Sequence, residues 1–119
     1  MSHAPTSAYL RHDSEHTFVA TQLTRGPWDP AHQHAGPPTA MVCRAIERAA
    51  AAHGRTHICR VTANLLRPVP IGELAIEVRE DYVGRSAGHF SATMRCDGKV
   101  VALFTALAQR ELDVPVPDG

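Results

Sequence analysis

The sequence has little of the features that define several common protein classes. Lysine plus arginine and aspartate plus glutamate number 12 each, so the formal net charge is zero and no basic surface for nucleic acid or membranes is indicated. No apolar run approaches the roughly 20 residues that span a bilayer. The polar N-terminal stretch 1–24 has no apolar signal core. We therefore predict a cytoplasmic protein with neither a nucleic-acid partner nor a membrane partner.

Cysteines are few, and the histidines lack the spacing of metal ligands. The chain has three cysteines, Cys43, Cys59 and Cys96. An odd number without the spacing of metal ligands indicates reduced cysteines that serve for packing. Among the 8 histidines, His32 and His34 could share a metal only from a loop, and no further ligand completes that set. The sequence predicts no metal and no cofactor.

One long helical pattern dominates the chain. Pro37 and Pro38 suit a first helical turn, where a missing N–H costs little, and Gly54 suits a C-terminal stop. Between them apolar residues recur in pairs every four positions, which predicts a helix over 37–53 with one apolar face. The apolar positions are Met41, Val42, Ala45, Ile46, Ala49 and Ala50, and the polar ones are Arg44, Glu47 and Arg48. Such a helix is usually a core element, but a His and a Gly ahead of it also make its start a candidate for holding a carbonyl or an anion.

The other patterned segments favour β-strands. Alternating residues and glycine or proline breaks place these strands at 17–24, 56–67, 73–83, 87–96 and 99–110. Asp97-Gly98 is a type I′ hairpin signal, and the last strand, apolar on both faces, is expected to be central in the sheet. We predict an α+β fold in which an antiparallel sheet of five to six strands wraps round one long helix. The single domain would cover 17–110, between a flexible lead-in at 1–16 and a tail at 111–119.

Two further features point to a ligand site and to self-association. The loop from Arg25 to His34 has no regular pattern over about ten residues and contains Asp29 and the only tryptophan, Trp28. We expect the loop from Gly26 to Gly36 to line the ligand site. One helix covers only one face of such a sheet and leaves an edge open, which predicts a homodimer or a higher oligomer.

Three segments together resemble the hotdog-fold acyl-CoA thioesterases of the thioesterase II type, specifically the N-terminal half of those double-hotdog proteins. The segments are His34-Ala35-Gly36-Pro37-Pro38 before an Ala-rich helix, Leu65-Leu66-Arg67-Pro68-Val69-Pro70, and Asp97-Gly98-Lys99-Val100-Val101-Ala102. The resemblance covers 17–110. It implies a single hotdog domain, an acyl-CoA substrate and thioester hydrolysis. Ala35 replaces the first glycine of the family's His-Gly-Gly, so an ordinary backbone is expected there.

Thioester hydrolysis requires an activated water and donors for the developing oxyanion. The predicted catalytic residues are His34 as general base, Asp29 as the group that holds its imidazole, and Gly36, whose amide faces the oxyanion with the amides of Thr39 and Ala40. The alternative is structural, with Asp29 capping a turn and His34 bonding to the backbone. The predicted substrate-binding residues are Trp28, Pro37, Pro38, Thr39, Asn64, Arg67 and Arg85, the two arginines for the phosphates of CoA.

The carboxylates of the related enzymes are missing at the matched positions. The catalytic Asp and Gln of the C-terminal half correspond to Arg60 and Ala106, and the helix carboxylate of single-hotdog enzymes corresponds to Cys43, with Glu47 one turn further on. Cys43 lies on the apolar stripe without an adjacent base, so packing is its expected role. Two other functions stay open: a hotdog enoyl-CoA hydratase, suggested by the spacing of Asp29 and His34, and an inert acyl-CoA-binding half that acts with a partner.

Overall fold

The structure, a computed structural model, describes residues 7–11, 16–111, 113 and 115–117. In chain order the elements are β1 (Tyr9–Arg11), β2 (Thr17–Ala20), a 3-10 turn (Gln22–Thr24), α1 (Gly36–Ala51), β3 (His57–Leu65), β4 (Glu73–Val83), β5 (Ala87–Cys96) and β6 (Lys99–Gln109). The strands form one sheet of order β1-β2-β4-β5-β6-β3, and every neighbouring pair is antiparallel. The predicted antiparallel sheet around one long helix is confirmed, with six strands.

The core lies between one stripe of α1 and the sheet. The buried helix residues Val42, Ile46 and Ala50 recur every four positions, within the predicted apolar stripe. They belong to one cluster of buried residues with Phe90 and Phe104, the two largest fully buried side chains. The helix therefore stabilises the sheet mainly by burying apolar surface, which is the usual source of helix stability in a protein.

Strand β6 lies inside the sheet, between β5 and β3, as its apolar character on both faces predicted. Its residues Ala102, Phe104, Ala106 and Ala108 are buried against the helix side. Leu103 points to the other face and is 38 % exposed. The outer face of this strand is therefore apolar without being covered by α1.

The segment before the helix differs from its prediction in two ways. The strand predicted over 17–24 ends at Ala20, because Thr24 donates its amide to the carbonyl of Thr21 and closes a 3-10 turn. The lead-in predicted over 1–16 contains β1, which pairs with β2. Three residues are too few for an alternating pattern to be recognised. Residues 1–6 and 12–15 of that lead-in lie outside the described part of the chain.

A β-bulge changes which residues of β3 face the helix. The register with β6 shifts between Ile58 and Arg60, which leaves Cys59 without a partner in the ladder. The Cys59 thiol donates instead to the carbonyl of Leu107 at 3.3 Å. Ile58, opposite Ala108, packs on the core in place of Cys59, although strict alternation from Val61 would place Cys59 on the core side.

The turn between β5 and β6 has the predicted type I′ backbone, with positive φ at Asp97 (52°) and Gly98 (74°). No atom lies within 4 Å of a Cβ added to Gly98, so a substitution there acts through backbone conformation alone. We expect Gly98→Ala to lower the free energy of unfolding by about 1 kcal/mol, measured by urea denaturation. Gly98→Asn is the matched control. Its free energy of unfolding should fall less than that of Gly98→Ala, because asparagine tolerates the left-handed region. Equal losses would contradict this account.

Candidate active site

The loop that precedes α1 is an ordered hairpin, although its sequence shows no periodic pattern. The His34 amide donates to the carbonyl of Thr24 at 2.7 Å, and the Gly26 amide donates to the carbonyl of His32 at 3.0 Å. Thr24 is fully buried and its hydroxyl donates to the carbonyl of Thr21 at 2.8 Å. The backbone of His34 is therefore anchored to a buried residue.

The other side of the same loop is bonded to the segment that follows β3. The Gln33 amide donates to the carbonyl of Val69 at 2.7 Å, and the Ile71 amide donates to the carbonyl of Ala31 at 2.9 Å. The loop is thus held from both sides, and the Leu-Arg-Pro segment of the sequence is brought next to the helix start.

Gln33 is a structural residue that the sequence analysis did not identify. It is buried between two more exposed histidines, His32 and His34, and its side-chain amide donates to the carbonyl of Pro70 at 2.8 Å. The Tyr9 hydroxyl donates to Gln33 Oε1. Burial raises the pKa of Tyr9 above its ordinary value, so this hydroxyl stays neutral and remains a donor. The sequence shows no alternation here, since His32, Gln33 and His34 are all polar, so no local signal marks Gln33 as buried.

The helix start offers one backbone donor to a ligand. Ala35 has the ordinary helical backbone that the sequence predicts, with φ −68°. Pro37 and Pro38 have no N–H, and the Thr39 amide donates to the carbonyl of Ala35 at 3.3 Å. Of the predicted donor amides of Gly36, Thr39 and Ala40, only that of Gly36 does not donate to a backbone oxygen. The predicted set of free donors is therefore reduced, because Thr39 is engaged and Ala40 falls within the regular helical ladder.

The Gly36 amide donates to Nδ1 of His34, at 3.3 Å. A ring nitrogen that accepts a hydrogen bond carries no proton, so the neutral imidazole has its proton on Nε2. In this tautomer Nε2 donates a hydrogen bond and cannot take up a proton. The geometry favours His34 as a donor to the substrate over the general base that the sequence predicts.

Asp29 does not hold the imidazole of His34 in this structure. Its Oδ1 accepts from the amide of Ala31 at 2.8 Å, and its Oδ2 lies 3.9 Å from Nδ1 of His32. The first contact is an Asx turn, which is the structural alternative for Asp29. The second contact is longer than a hydrogen bond. The carboxylate–imidazole pair that the fold brings together is Asp29 with His32.

A cavity of about 530 Å³ opens beside the helix start, and we call it the helix-start cavity. Its wall is formed by residues of the loop, by the last residue of β3 and by the segment that follows it, namely Trp28, His32, Gln33, His34, Ala35, Leu65, Leu66, Arg67, Pro68 and Val69. Trp28 is 92 % exposed, and Leu65 and Leu66 are also exposed. The cavity has the size of a small-molecule site and combines an apolar wall with a few polar groups.

Several predicted substrate-binding residues lie at or near this cavity. Trp28 and Arg67 line it. Thr39 is half-buried in the first helical turn, and its hydroxyl donates to the carbonyl of Ala35 at 2.9 Å. Pro37 is also half-buried, whereas Pro38 is fully buried in the core. Pro38 therefore packs within the single chain, and its contact with a ligand stays a prediction.

Asn64 and Arg85 are not brought to the cavity of the same chain. Asn64 lies opposite Leu103 in the register, on the face of the sheet away from α1. The carbonyl of Arg85 accepts from Arg55 at 2.8 Å, just beyond the C-terminal end of α1. The 16 residues of α1, at 1.5 Å each, place that end about 24 Å from Gly36. Arg85 therefore cannot contact a group bound at the helix start of its own chain unless that group is extended.

Cys43 has the environment of a packing residue. It is half-buried on α1, and burial, followed by the charge of Glu47, raises the pKa of its thiol. A raised pKa lowers the thiolate fraction, which is unfavourable for a nucleophile. Within the described residues there is no cluster of potential metal ligands, and none of the helices among them could cross a membrane.

Gly26 positions His34. A Cβ added to Gly26 would lie 3.1 Å from the His34 amide nitrogen and 3.2 Å from its Cα, closer than ordinary contacts. We expect Gly26→Ala to displace His34 and to lower kcat by about 10-fold with a smaller change in KM. Gly84→Ala is the matched control, because a Cβ there also approaches other atoms closely, Tyr82 Cε1 at 3.0 Å and the Ala87 carbonyl oxygen at 3.3 Å, but away from the helix start, and it should keep the wild-type kcat. A Gly26→Ala enzyme with full kcat would show that this close approach has no catalytic value.

Comparison with known proteins identifies the chain over most of its length. Residues 24–109 match the family model described as the acyl-CoA thioesterase N-terminal domain. No protein of curated function matches the sequence significantly.

Solved structures with the same architecture share little sequence with the chain. The E. coli PaaI protein from the phenylacetic acid degradation operon has a TM-score of 0.72 and 21 % identity, with 80 % of this chain and 70 % of that one covered. A protein with a hotdog fold from Alicyclobacillus acidocaldarius has a TM-score of 0.67 and 20 % identity, covering 91 % of this chain and 40 % of that one. A Bacillus halodurans protein solved with CoA has a TM-score of 0.70 and 13 % identity, with 78 % of this chain and 64 % of that one covered. The predicted hotdog fold is confirmed.

Proposed function

We propose that this chain, which belongs to the family of acyl-CoA thioesterase N-terminal domains, hydrolyses acyl-CoA thioesters at the helix-start cavity. The observation that supports this site is the Gly36 amide, a backbone donor at the helix start that is bonded to Nδ1 of His34 and follows His34 and Ala35, which line the cavity. The positive end of the helix dipole adds to its attraction for a developing oxyanion. The solved relative with CoA is consistent with a CoA ester as ligand.

In the proposed reaction the thioester carbonyl oxygen approaches the Gly36 amide and Nε2 of His34. Water attacks the carbonyl carbon, the C–S bond breaks, and the products are a carboxylic acid and CoA. The oxyanion is a stronger acceptor than a neutral ring nitrogen, so it can compete for the Gly36 amide. Trp28, Pro37, Thr39 and Arg67 would bind the remainder of the substrate, and Arg67 would contact a phosphate of CoA.

Asp29 and His32 are the proposed source of the base. His32 lines the helix-start cavity with its Nδ1 3.9 Å from Oδ2 of Asp29, and in the proposed reaction its imidazole takes the proton that the attacking water loses. This assignment replaces the pairing of Asp29 with His34. Asp29 accepts from the Ala31 amide and His34 accepts from the Gly36 amide, so the two side chains are not bonded to each other.

The finer proposal is that the chain acts as the N-terminal type of half in the thioesterase II group, with a second hotdog half supplied by another copy. Strand β3 supports this pairing, because it is a nine-residue strand at one edge of the sheet. A long, exposed edge strand is a template for another strand. A second copy there would cover the exposed side chains of Leu65 and Leu66 and close the helix-start cavity. Asn64 and Arg85 would then contact ligand only from the neighbouring subunit.

A second candidate is an acyl-CoA-binding half without hydrolytic activity. Among the described residues, the wall of the helix-start cavity includes no Asp or Glu side chain. Arg60 and Ala106 do not replace them, since Arg60 is exposed on β3 and Ala106 is buried in the core. The hydratase alternative loses its support, because the Asp29–His34 pair on which it depends is not formed.

Release of free thiol from a panel of acyl-CoAs by the purified protein tests the proposal. Continuous thiol release is expected, together with quenching of Trp28, the only tryptophan, on addition of a non-hydrolysable acyl-CoA. Quenching without thiol release would favour the inert half. Loss of the enoyl chromophore of crotonyl-CoA without thiol release would identify a hydratase.

A further inference from the structure

A second cavity, of about 470 Å³, lies on the opposite side of α1, and we call it the α1–β2 groove. Its sheet side includes Tyr9, Phe18 and Val78, and its helix side includes Met41 with Arg44 and Arg48. Neither the helix-start loop nor the segment after β3 contributes to it. The groove is therefore separate from the site proposed for thioester hydrolysis.

The groove exists because the sheet extends beyond the helix. Helix α1 packs on β3, β4, β5 and β6, whereas β1 and β2 continue the sheet past it. Two of the helix residues that line this gap, Ala45 and Ala49, are small alanines, which leave part of it unfilled. The floor is apolar, since Phe18 is buried and Met41 and Val78 pack against the core. An apolar floor of this kind favours a hydrocarbon group.

The rim of the groove carries two positive charges that have no partner among the described residues. Arg44 and Arg48 are both exposed and lie one helical turn apart, an arrangement of like charges that is slightly unfavourable in a helix. Neither guanidinium makes an ion pair or a hydrogen bond with any residue in the described part of the chain. Tyr9 does not supply a compensating charge, because its raised pKa and its bond to Gln33 keep the hydroxyl neutral.

We infer that the α1–β2 groove binds a free carboxylic acid with a hydrocarbon body. The hydrocarbon lies along Phe18, Met41 and Val78, and the carboxylate accepts hydrogen bonds from Arg44 and Arg48. Guanidinium groups match a carboxylate in both charge and geometry, and an apolar chain gains by leaving water. A neutral amphiphile leaves the two cations unpaired, and a purely polar anion leaves the floor unfilled. The inference does not depend on the thioesterase proposal.

Titration of the full chain with octanoate, followed by amide chemical shifts and by Trp28 fluorescence, tests the inference. Shifts are expected in α1 around residues 41–49 and in β2, with no change in tryptophan emission because Trp28 lines the other cavity. The double variant Arg44→Gln/Arg48→Gln should bind octanoate about 10-fold more weakly, and added salt should weaken wild-type binding. Arg110→Gln, which changes an exposed arginine away from the groove, is the matched control and should bind normally.

Comparison of octanoate with 1-octanol isolates the contribution of the charge. Octanol should bind wild type more weakly than octanoate, and equally weakly to wild type and to the double variant. Equal affinity of octanoate for wild type and the double variant would overturn the inference. Quenching of Trp28 with shifts only at 28–36 and 65–69 would place the acid in the helix-start cavity instead. A double variant that loses its oligomeric state, with no octanoate shifts in wild type, would assign the groove to a second copy of the chain.

Discussion

Replacement of His34 by alanine is expected to lower kcat/KM for acyl-CoA hydrolysis on the order of 10²-fold. The variant loses the Nε2 donor to the thioester oxygen, and it also releases the Gly36 amide from the acceptor that now orients it. The His34 side chain is exposed, so the free energy of unfolding should change little. Thiol release measured over a range of substrate concentrations gives kcat and KM separately. Equal turnover by wild type and the variant would remove His34 from the mechanism.

His34→Gln separates the two chemical roles that an imidazole could have. The glutamine amide can donate a hydrogen bond but cannot take up a proton at neutral pH. Substantial recovery relative to alanine is expected if His34 is a donor, whereas both variants should be equally inactive if it is the base. His32→Ala is the companion variant, and it should abolish the alkaline plateau of the pH–rate profile if His32, next to Asp29, receives the proton.

A charged residue at the open edge of the sheet is expected to convert the proposed dimer into a monomer with little activity. Ala63 is exposed on β3, pairs with Phe104 and therefore faces the helix side of the sheet. In a dimer joined through β3, Ala63→Asp would bury an unpaired carboxylate, which costs several kcal/mol. Sedimentation at micromolar concentration should give the monomer mass, and kcat/KM should fall at least 10-fold because the helix-start cavity stays open.

Ala75→Asp is the matched control for that experiment. Ala75 is also an exposed alanine on a strand, but its strand β4 lies between β2 and β5 and cannot pair with another copy. The control should keep both the dimer mass and the activity. A wild-type monomer with full activity would contradict the dimer proposal as a whole, independently of either variant.

The long elements were predictable from the sequence because their periods are sustained. Strands β4 and β5 have the predicted bounds, since alternation over ten or more residues between glycine turns leaves one interpretation. The helix also lies where the apolar stripe places it, between Gly36 and Ala51. The bulge at Cys59 was not predictable, because one extra residue in a strand leaves an alternating pattern that looks intact on both sides.

The site was less accessible to sequence reasoning because proximity in the chain does not determine which side chains meet. Asp29 and His34 share a loop, but the hairpin bonds of His34 to Thr24 turn it toward Gly36, while the Asx turn keeps Asp29 beside His32. The burial of Gln33 depends on the carbonyl of Pro70, which is 37 residues away. Contacts of that kind follow from the docking of segments, which no local pattern records.

The two edges of the sheet have different consequences for assembly. At one end β1 has three residues, and at the other β3 has nine. If two copies join through β3 about a two-fold axis, both long edge strands become paired with each other. The continuous twelve-stranded sheet then ends in a β1 strand on each side. Such short ends provide few backbone groups for further strand addition. Growth by this route terminates at two copies, so the same unequal edges that favour pairing also protect the protein against polymerisation into fibres.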